Sequence, residues 1–463
     1  MTFRIWLSSA ALLTTAVGCS GSAAAPPGGS NDVTIAQSEI ARVPASDVKA
    51  SDLRSAVAAN NAFAVDLYAQ ALTEEPSKNI LTSPISATLA LTMTYAGAQG
   101  ETKAEMASAL HLTAADEAVF AGQNALSQAL NGRGAAALQS AQRNATEGGQ
   151  AAPSESDYQL QVVNSVWGEQ TYHWEKPFLD TLAANYGTGV YQRDFVHEYE
   201  PARAAINGWV SQQTSDQIND LLPIGVLDDS TRMVLVNAIH LKLPWATKFE
   251  ASATAAGNFT REGSGDVSTD FMHRTAQLGY IDDGKAQIVA IPLFHGDLSV
   301  VVALPHEGVA LADYEAGLVA SAAPLSVPSA SALVDLKLPK ARFTSPSVSL
   351  AKALKTLGMR QAFDAGAANF KGLCASTPDH RNLYVSEVLQ KSMIAMQETG
   401  VEAAAATAVL VNAGSAANPT HEDPPVPIPM VVNRPYLVSV VDQTTGAILM
   451  LGHIQDPTDV GTP

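Results

Sequence analysis

One stretch limits what this chain can become. It runs Glu398-Thr-Gly-Val-Glu-Ala-Ala-Ala-Ala-Thr-Ala-Val-Leu-Val411. Written as an alternating strand, it puts Val401, Ala403, Ala405, Thr407, Val409 and Val411 on one face. Glu402, Ala404, Ala406, Ala408, Leu410 and Asn412 fall on the other. The first face is uncharged and starts small, so it can slide between two existing strands and become buried. The second carries one charge and can stay near water. Gly400 stands where the chain would pivot, and glycine reaches φ values closed to other residues. Small polar residues come next, then prolines at 419, 424, 425, 427 and 429, which suits an exposed, cleavable loop. Four successive alanines also suit a helix or a linker, so the rest of the chain must decide.

A chain of 463 residues, 46% of them hydrophobic, can bury a large core. The net charge of −18, with no long basic block, argues against nucleic acid and against an electrostatic grip on anionic lipid. Residues 1–18 read as an export signal, with Arg4 ahead of an apolar run. Ala16-Val-Gly-Cys19 resembles the bacterial lipobox, which implies cleavage before Cys19 and a lipid on its thiol. The expected location is the cell envelope, at an outer membrane or the cell surface, or else secreted. Residues 19–48, rich in Ser, Gly, Ala and Pro, read as a flexible tether. Cys374 is the only other cysteine, and a small buried residue is the expectation for it.

Helices are expected over 51–74, 84–97 and from Thr102-Lys-Ala-Glu105, which has a capping-box pattern. Ser83 is placed to cap the second, with Pro84 at its first position. Residues 132–157 read as an unpatterned surface insertion. Strands are expected over 160–167, 232–241, 287–293, 298–305, 334–338, 434–441 and 447–454, with a helical stretch at 201–222. Asn237 breaks an apolar strand and must find hydrogen-bond partners. Helices early and strands later favour an α+β fold.

These segments, in this order, resemble the serpins. The resemblance covers about 50–457 and rests on an ordered series of motifs. They are Asn79-Ile-Leu-Thr-Ser-Pro-Ile-Ser86, Leu235-Val-Asn-Ala-Ile-His-Leu-Lys-Leu-Pro-Trp245, Leu338-Pro-Lys340, Leu357-Gly-Met359, Val385-Ser-Glu-Val-Leu-Gln-Lys-Ser392, the 398–407 stretch and Asn433-Arg-Pro-Tyr436. It implies one domain over 49–457, with three β-sheets, surrounding helices and an exposed reactive loop at about 398–432, before a tail at 458–463. It also implies a suicide inhibitor: a serine protease cuts the loop, and the cut loop enters the main sheet with the protease attached.

Carried over by position, Glu398, Gly400, Val401, Ala403, Ala404, Ala405, Ala406 and Thr407 match the loop's hinge. Ser83, Ser86 and Asn237 match the polar cluster that lets strands part, the shutter. Gln390 joins that cluster where many members have His. Trp245 matches the tryptophan where the loop enters the sheet, the breach. The expected reactive bond is Gly414–Ser415, with Val411–Asn412 and Ala413–Gly414 as alternatives. Residues 400–432 hold no Lys or Arg, which favours an elastase-like or subtilisin-like target over a trypsin-like one. No nucleophile-elbow, zinc-protease or phosphate-loop motif occurs, so no catalytic residue, cofactor or metal is expected. The expected partner is the target protease, with the inhibitor a monomer and the membrane reached only through Cys19. The alternative is a noninhibitory binding protein or chaperone of the same fold.

Overall fold

Apolar runs with a period of two alternate with long stretches of period near 3.6, and the fold segregates them. The computed structural model describes residues 34–322, 325–377, 382–401 and 426–461. The helices are α1 (Ala50–Glu74), α2 (Pro84–Tyr95), α3 (Gly100–Ala109), α4 (Asp116–Glu147), α5 (Lys176–Tyr186), α6 (Tyr199–Gln213), α7 (Leu311–Ser321) and α8 (Ala351–Thr356). The strands are β1 (Thr34–Ala36), β2 (Ile80–Thr82), β3 (Gln159–Glu169), β4 (Val190–Arg193), β5 (Met233–Pro244), β6 (Ala255–Arg261), β7 (Gly265–Asp282), β8 (Ala286–Pro292) and β9 (Leu298–Pro305). They continue as β10 (Ser331–Pro339), β11 (Ala341–Thr344), β12 (Val348–Ser349), β13 (Glu387–Lys391), β14 (Met393–Gln397), β15 (Gly400–Val401), β16 (Ile428–Val431), β17 (Tyr436–Asp442) and β18 (Ile448–Ile454).

The main sheet runs β1-β4-β3-β5-β15-β14-β11, with β13 paired to β5 and β12 to β13. The other strands form one continuous ladder in two parts. The long strand β7 joins a small sheet (β6, β10, β16) to the run β8-β9-β17-β18-β2.

β5 is buried along nearly its whole length, because both of its faces are covered. Leu235, Asn237, Ile239, Leu241 and Leu243 point inward. Val234, Val236 and Ala238 pack on the other face under α6 and residues 218–227. Every residue of α2 is buried, since the helix lies between β3 and β5 on one side and β18 on the other. Each fully buried leucine or isoleucine there contributes roughly 1.5–3 kcal/mol.

Three expectations need correction. Residues 132–147 are not an insertion but the second half of α4. Gly134, Ala137, Ala141 and Ala145 form its buried stripe. A Cβ at Gly134 would come within 2.8 Å of Leu160 N, so small residues let the helix lie against β3. Thr102 does not cap α3, whose cap is Gln99. Its hydroxyl instead accepts from Asn369 N–H, and Glu105 accepts from the N–H groups of Arg360 and Gln361.

Residues 34–48 are not a loose tether. Thr34, Ile35 and Ala36 pair with Gln192, Tyr191 and Val190 at the edge of the main sheet. Arg42 then reaches between α4 and α5, donating to Asn124 Oδ1 at 2.9 Å and to Ser127 Oγ at 2.5 Å. Val43 N–H donates to Ala184 O at 2.8 Å. A Cβ at Gly189 would meet Ala36 O at 2.3 Å, so the docked segment requires glycine there. Gly189→Val should therefore undock residues 34–48 while the body stays folded, at a cost of about 1–3 kcal/mol. Limited proteolysis should cut within 34–48 in the variant and spare it in the parent; equal resistance would contradict this packing.

Candidate functional site

The chain turns tightly at Gln397-Glu-Thr-Gly400, and the two residues at the exit of the turn are wedged into the main sheet. Gly400 pairs with Gln397 and with Pro244, and Val401 with Met396 and with Leu243. β15 is thus the beginning of a strand between β14 and β5. Below it the sheet is closed differently: Glu387–Lys391 of β13 pair directly, and parallel, with Val234–Ala238 of β5. Between these two zones, residues 239–242 have no strand partner on that edge among the described residues. Val401 is only 1% exposed, so the inward face of the alternating stretch has already begun to bury itself.

Gly400 is needed here for space rather than for φ. Its φ lies outside the left-handed region, but a Cβ would meet Leu243 O and Pro244 Cα, each at 2.4 Å. No other residue fits between the two strands at that point.

The turn is held from outside by backbone and side chain together. Trp245, buried at the end of β5, donates its indole N–H to Gln397 O at 2.7 Å and its backbone N–H to Thr399 O at 3.1 Å. Phe249 N–H donates to Glu398 O at 2.9 Å. The Glu398 carboxylate accepts from Thr254 Oγ1 at 3.0 Å and from Lys340 Nζ at 3.2 Å. Burial alone would raise its pKa; hydrogen bonds from the backbone, Thr254 and Lys340 outweigh that and hold it below the usual carboxylate value.

Beneath the closed part of the sheet lies a polar cluster in an apolar core. Gln390 acts as a substitute backbone for Ser83. Its Oε1 accepts from Ser83 N–H at 3.0 Å, and its Nε2 donates to Ser83 O at 2.8 Å and to Asn237 Oδ1 at 3.1 Å. The hydroxyls of Ser83 and Ser86 lie 2.9 Å apart, and Ser83 Oγ donates to Leu449 O. Ser83 sits at the cap position of α2, yet its side chain makes no cap bond, because Ser86 and Leu449 engage it instead. Asn237 Nδ2 has no partner among the described residues, although the residue is fully buried. Such a donor costs about 1–3 kcal/mol.

The structure thus brings together Glu398, Gly400, Val401 and Trp245 at the top of the sheet, and Ser83, Ser86, Asn237 and Gln390 lower down. Ala403, Ala404, Ala405, Ala406, Thr407, Val411, Asn412, Ala413, Gly414, Ser415 and Cys19 lie outside the described residues. Three contributors escape sequence reasoning. Asn164 pairs across the ladder with Asn237, and with its amide turned so that both of its ends are satisfied it donates to Ser86 O at 2.8 Å. A lone Asn in the run Val162-Val-Asn164 carries the same signal that singles out Asn237. Lys340 and Thr254 hold Glu398 from positions far off in the chain; Lys340 closes the motif Leu338-Pro-Lys340, but nothing there ties it to Glu398, and nothing local marks Thr254.

The cluster and the anchored turn can each be tested. Gln390→Leu removes the partner of Ser83 N–H and of Asn237 Oδ1, while Ser83 O keeps only Ala87 N–H, and should cost about 2–4 kcal/mol in denaturant unfolding; a loss below about 1 kcal/mol would show the cluster to be slack. The depressed pKa of Glu398 gives stability that is full at neutral pH, above the unfolded-state pKa, and is lost as pH falls through the lower folded value. Glu398→Gln should match the parent's stability at low pH and fall short of it at neutral pH. An equal deficit at both would place the stabilisation elsewhere.

The comparisons with known proteins agree with this geometry. The family model Serpin (serine protease inhibitor) matches residues 58–457. The chain is 30% identical over 411 residues to the leukocyte elastase inhibitor of Bos taurus, covering 86% of this chain and 99% of that one. It is 32% identical over 405 residues to Serpin B4 of Homo sapiens, covering 86% and 98%. The native crystal structure of tengpin, a thermophilic serpin, superposes with a TM-score of 0.72 at 25% identity, covering 92% of this chain and all of that one. A two-residue strand between β14 and β5, above a buried polar cluster that links β13, β5 and Ser83, thus stands in a chain that belongs to the serpins, a family of serine protease inhibitors.

Proposed function

We propose that this protein is a suicide inhibitor of serine proteases with elastase-like or subtilisin-like specificity, and that cleavage of its loop drives the remainder of the hinge into the main sheet. The observation that carries the reading is β15: two residues already occupy the slot between β14 and β5.

The seated register dictates how the rest of the hinge would pair. Continuing antiparallel from Val401 opposite Leu243 puts Ala403 opposite Leu241, Ala405 opposite Ile239 and Thr407 opposite Asn237. Counting from the other neighbour, Val401 opposite Met396 puts Thr407 opposite Gln390. The two counts agree, because Gln390 and Asn237 are themselves partners in the closed sheet. The 12 residues of β5 are used up at Val411. All three candidate bonds lie after Val411, so the register allows each of them; the spacing from Glu398 that the family resemblance implies supports Gly414–Ser415.

Insertion must first separate β13 from β5, breaking five parallel pairs and the Gln390–Asn237 bond. The new strand pairs on both sides. About a dozen newly paired backbone groups at roughly 1 kcal/mol net each yield on the order of 10 kcal/mol, less what the old ladder gave up. Thr407, on the inward face, would present its hydroxyl to the unpartnered Asn237 Nδ2. Glu402, on the outward face, would come opposite Lys242, which already pairs with Asp157 at 3.1 Å.

The absence of Lys and Arg from 400–432 supports a small or apolar residue at the cut. So does the likeness to relatives named leukocyte elastase inhibitor. The test is to mix the protein with elastase-like, subtilisin-like and trypsin-like proteases, look for adducts that survive denaturation, and sequence the released C-terminal fragment. An adduct is expected with the first two classes, with the fragment beginning at Ser415. Ala405→Arg, which puts a charge opposite Ile239, should be cut without forming an adduct. Adducts that persist in this variant would overturn the insertion mechanism, and a parent cut cleanly by all three classes would favour a noninhibitory role.

A further inference from the structure

Two cations approach the hinge turn from the β7–β10 side. Lys340 is neutralised by Glu398. Arg274 has no carboxylate partner among the described residues. It stands in β7 opposite Leu336 of β10, on the same inward face as the buried Met272 and Leu278. Its guanidinium lies over the Phe249 ring, 4.8 Å from the centroid. One of its Nη groups donates to Thr247 O, and its Nε has no hydrogen-bond partner among the described residues. Burial lowers its pKa to about 10, which leaves it charged at neutral pH. An aliphatic side chain would fill this slot without the cost of desolvating a charge. The position therefore calls for an account of what the charge does.

What Arg274 touches is the Trp245–Phe249 turn. That turn supplies the backbone N–H groups of Trp245 and Phe249 to the carbonyls of Thr399 and Glu398, and the Trp245 indole to Gln397. The Phe249 ring is itself packed edge-on against Trp245, with centroids 5.9 Å apart. A flat guanidinium can stack on one ring and donate in its own plane to a neighbouring carbonyl at once, which an ammonium cannot do as well. On the opposite side the turn is tied by Ala246 N–H to Pro292 O. Arg274 therefore fixes the free side of the turn.

We propose that Arg274 is a positioning residue for the hinge: by pinning Thr247 and Phe249 it keeps the turn's donors aimed at residues 397–399, so that β15 stays seated and ready to propagate. Loss of the pin lets β15 fray, which delays insertion after cleavage and lets the protease complete hydrolysis. Recognition of the intact loop by the protease is untouched. The functional arm of the test rests on the insertion reading above; the exchange arm does not.

The experiment compares the parent with Arg274→Met, which keeps length and loses charge and donors, and with Arg274→Lys. Hydrogen–deuterium exchange is followed in peptides covering 397–401. With a target protease, the stoichiometry of inhibition and the association rate are measured separately. Arg274→Met should exchange at least five-fold faster at 397–401 and raise the stoichiometry several-fold, with the association rate within two-fold of the parent. Arg274→Lys should recover part of both losses. Parental exchange in Arg274→Met would overturn the proposal. So would faster exchange spread evenly through β7 and β10 with no recovery by Lys, since that marks a merely structural residue. Should Arg274→Met not fold, Phe249→Leu removes the ring beneath the guanidinium and is read in the same way. If the parent forms no adduct, the insertion reading fails and exchange alone decides the role of Arg274.

Discussion

The main sheet is paired in two incompatible ways along one strand, and the rest of the structure accommodates that conflict. At its top β5 faces β15; lower down it faces β13. A single strand cannot keep both neighbours along its whole length, so one pairing can grow only at the expense of the other. The intact chain holds the boundary between them near residues 239–242. The candidate site residues that the structure describes lie on one side of that boundary or the other.

Above it, the contacts hold β15 between β14 and β5. Gly400 removes the side chain that would collide with β5, Trp245 and Phe249 supply donors, and Glu398 anchors the turn to Lys340 and Thr254. Below it, the contacts favour closure. Gln390 bridges β13 to Ser83 on α2 and to Asn237 on β5, so parting the strands breaks a buried polar network as well as a ladder. The closed state is not ideal, since Asn237 keeps one buried donor unpaired. A buried donor without a partner is a free-energy cost that a better-paired state can remove. Asn237 therefore both ties β5 to Gln390 and carries a cost within the closed sheet.

Some of this is readable from the sequence, because some of it is local. The two-residue period of 401–411 separates a small apolar face from a charged one without any structure, and Asn237 declares itself as the polar break in an apolar strand. Ser83, Ser86 and Trp245 are unremarkable as single residues and become visible only through a motif resemblance. Asn164 has the same local signature as Asn237, but no motif draws the eye to it. The buried stripe of α4, from Gly134 to Ala145, is hidden by a composition that reads as linker. Residues 34–48 are hidden because the Ser-, Gly-, Ala- and Pro-rich run just before them reads as a free chain and masks the change at Thr34-Ile-Ala36. The seat of Glu398, the contact of Arg274 with the 245–249 turn and the pairing of β15 depend on strand order. Strand order joins positions 58 to 144 residues apart in the case of Glu398, and no window along the chain contains them.

The most direct test is a crystal structure of the protein after a single cut in the loop. The account predicts a complete strand over Gly400–Val411 between β5 and the β13–β14 edge, with Thr407 beside Asn237 and Gln390 no longer bonded to it. A cut molecule in which β13 still pairs with β5, and Gln390 still holds Asn237, would contradict it.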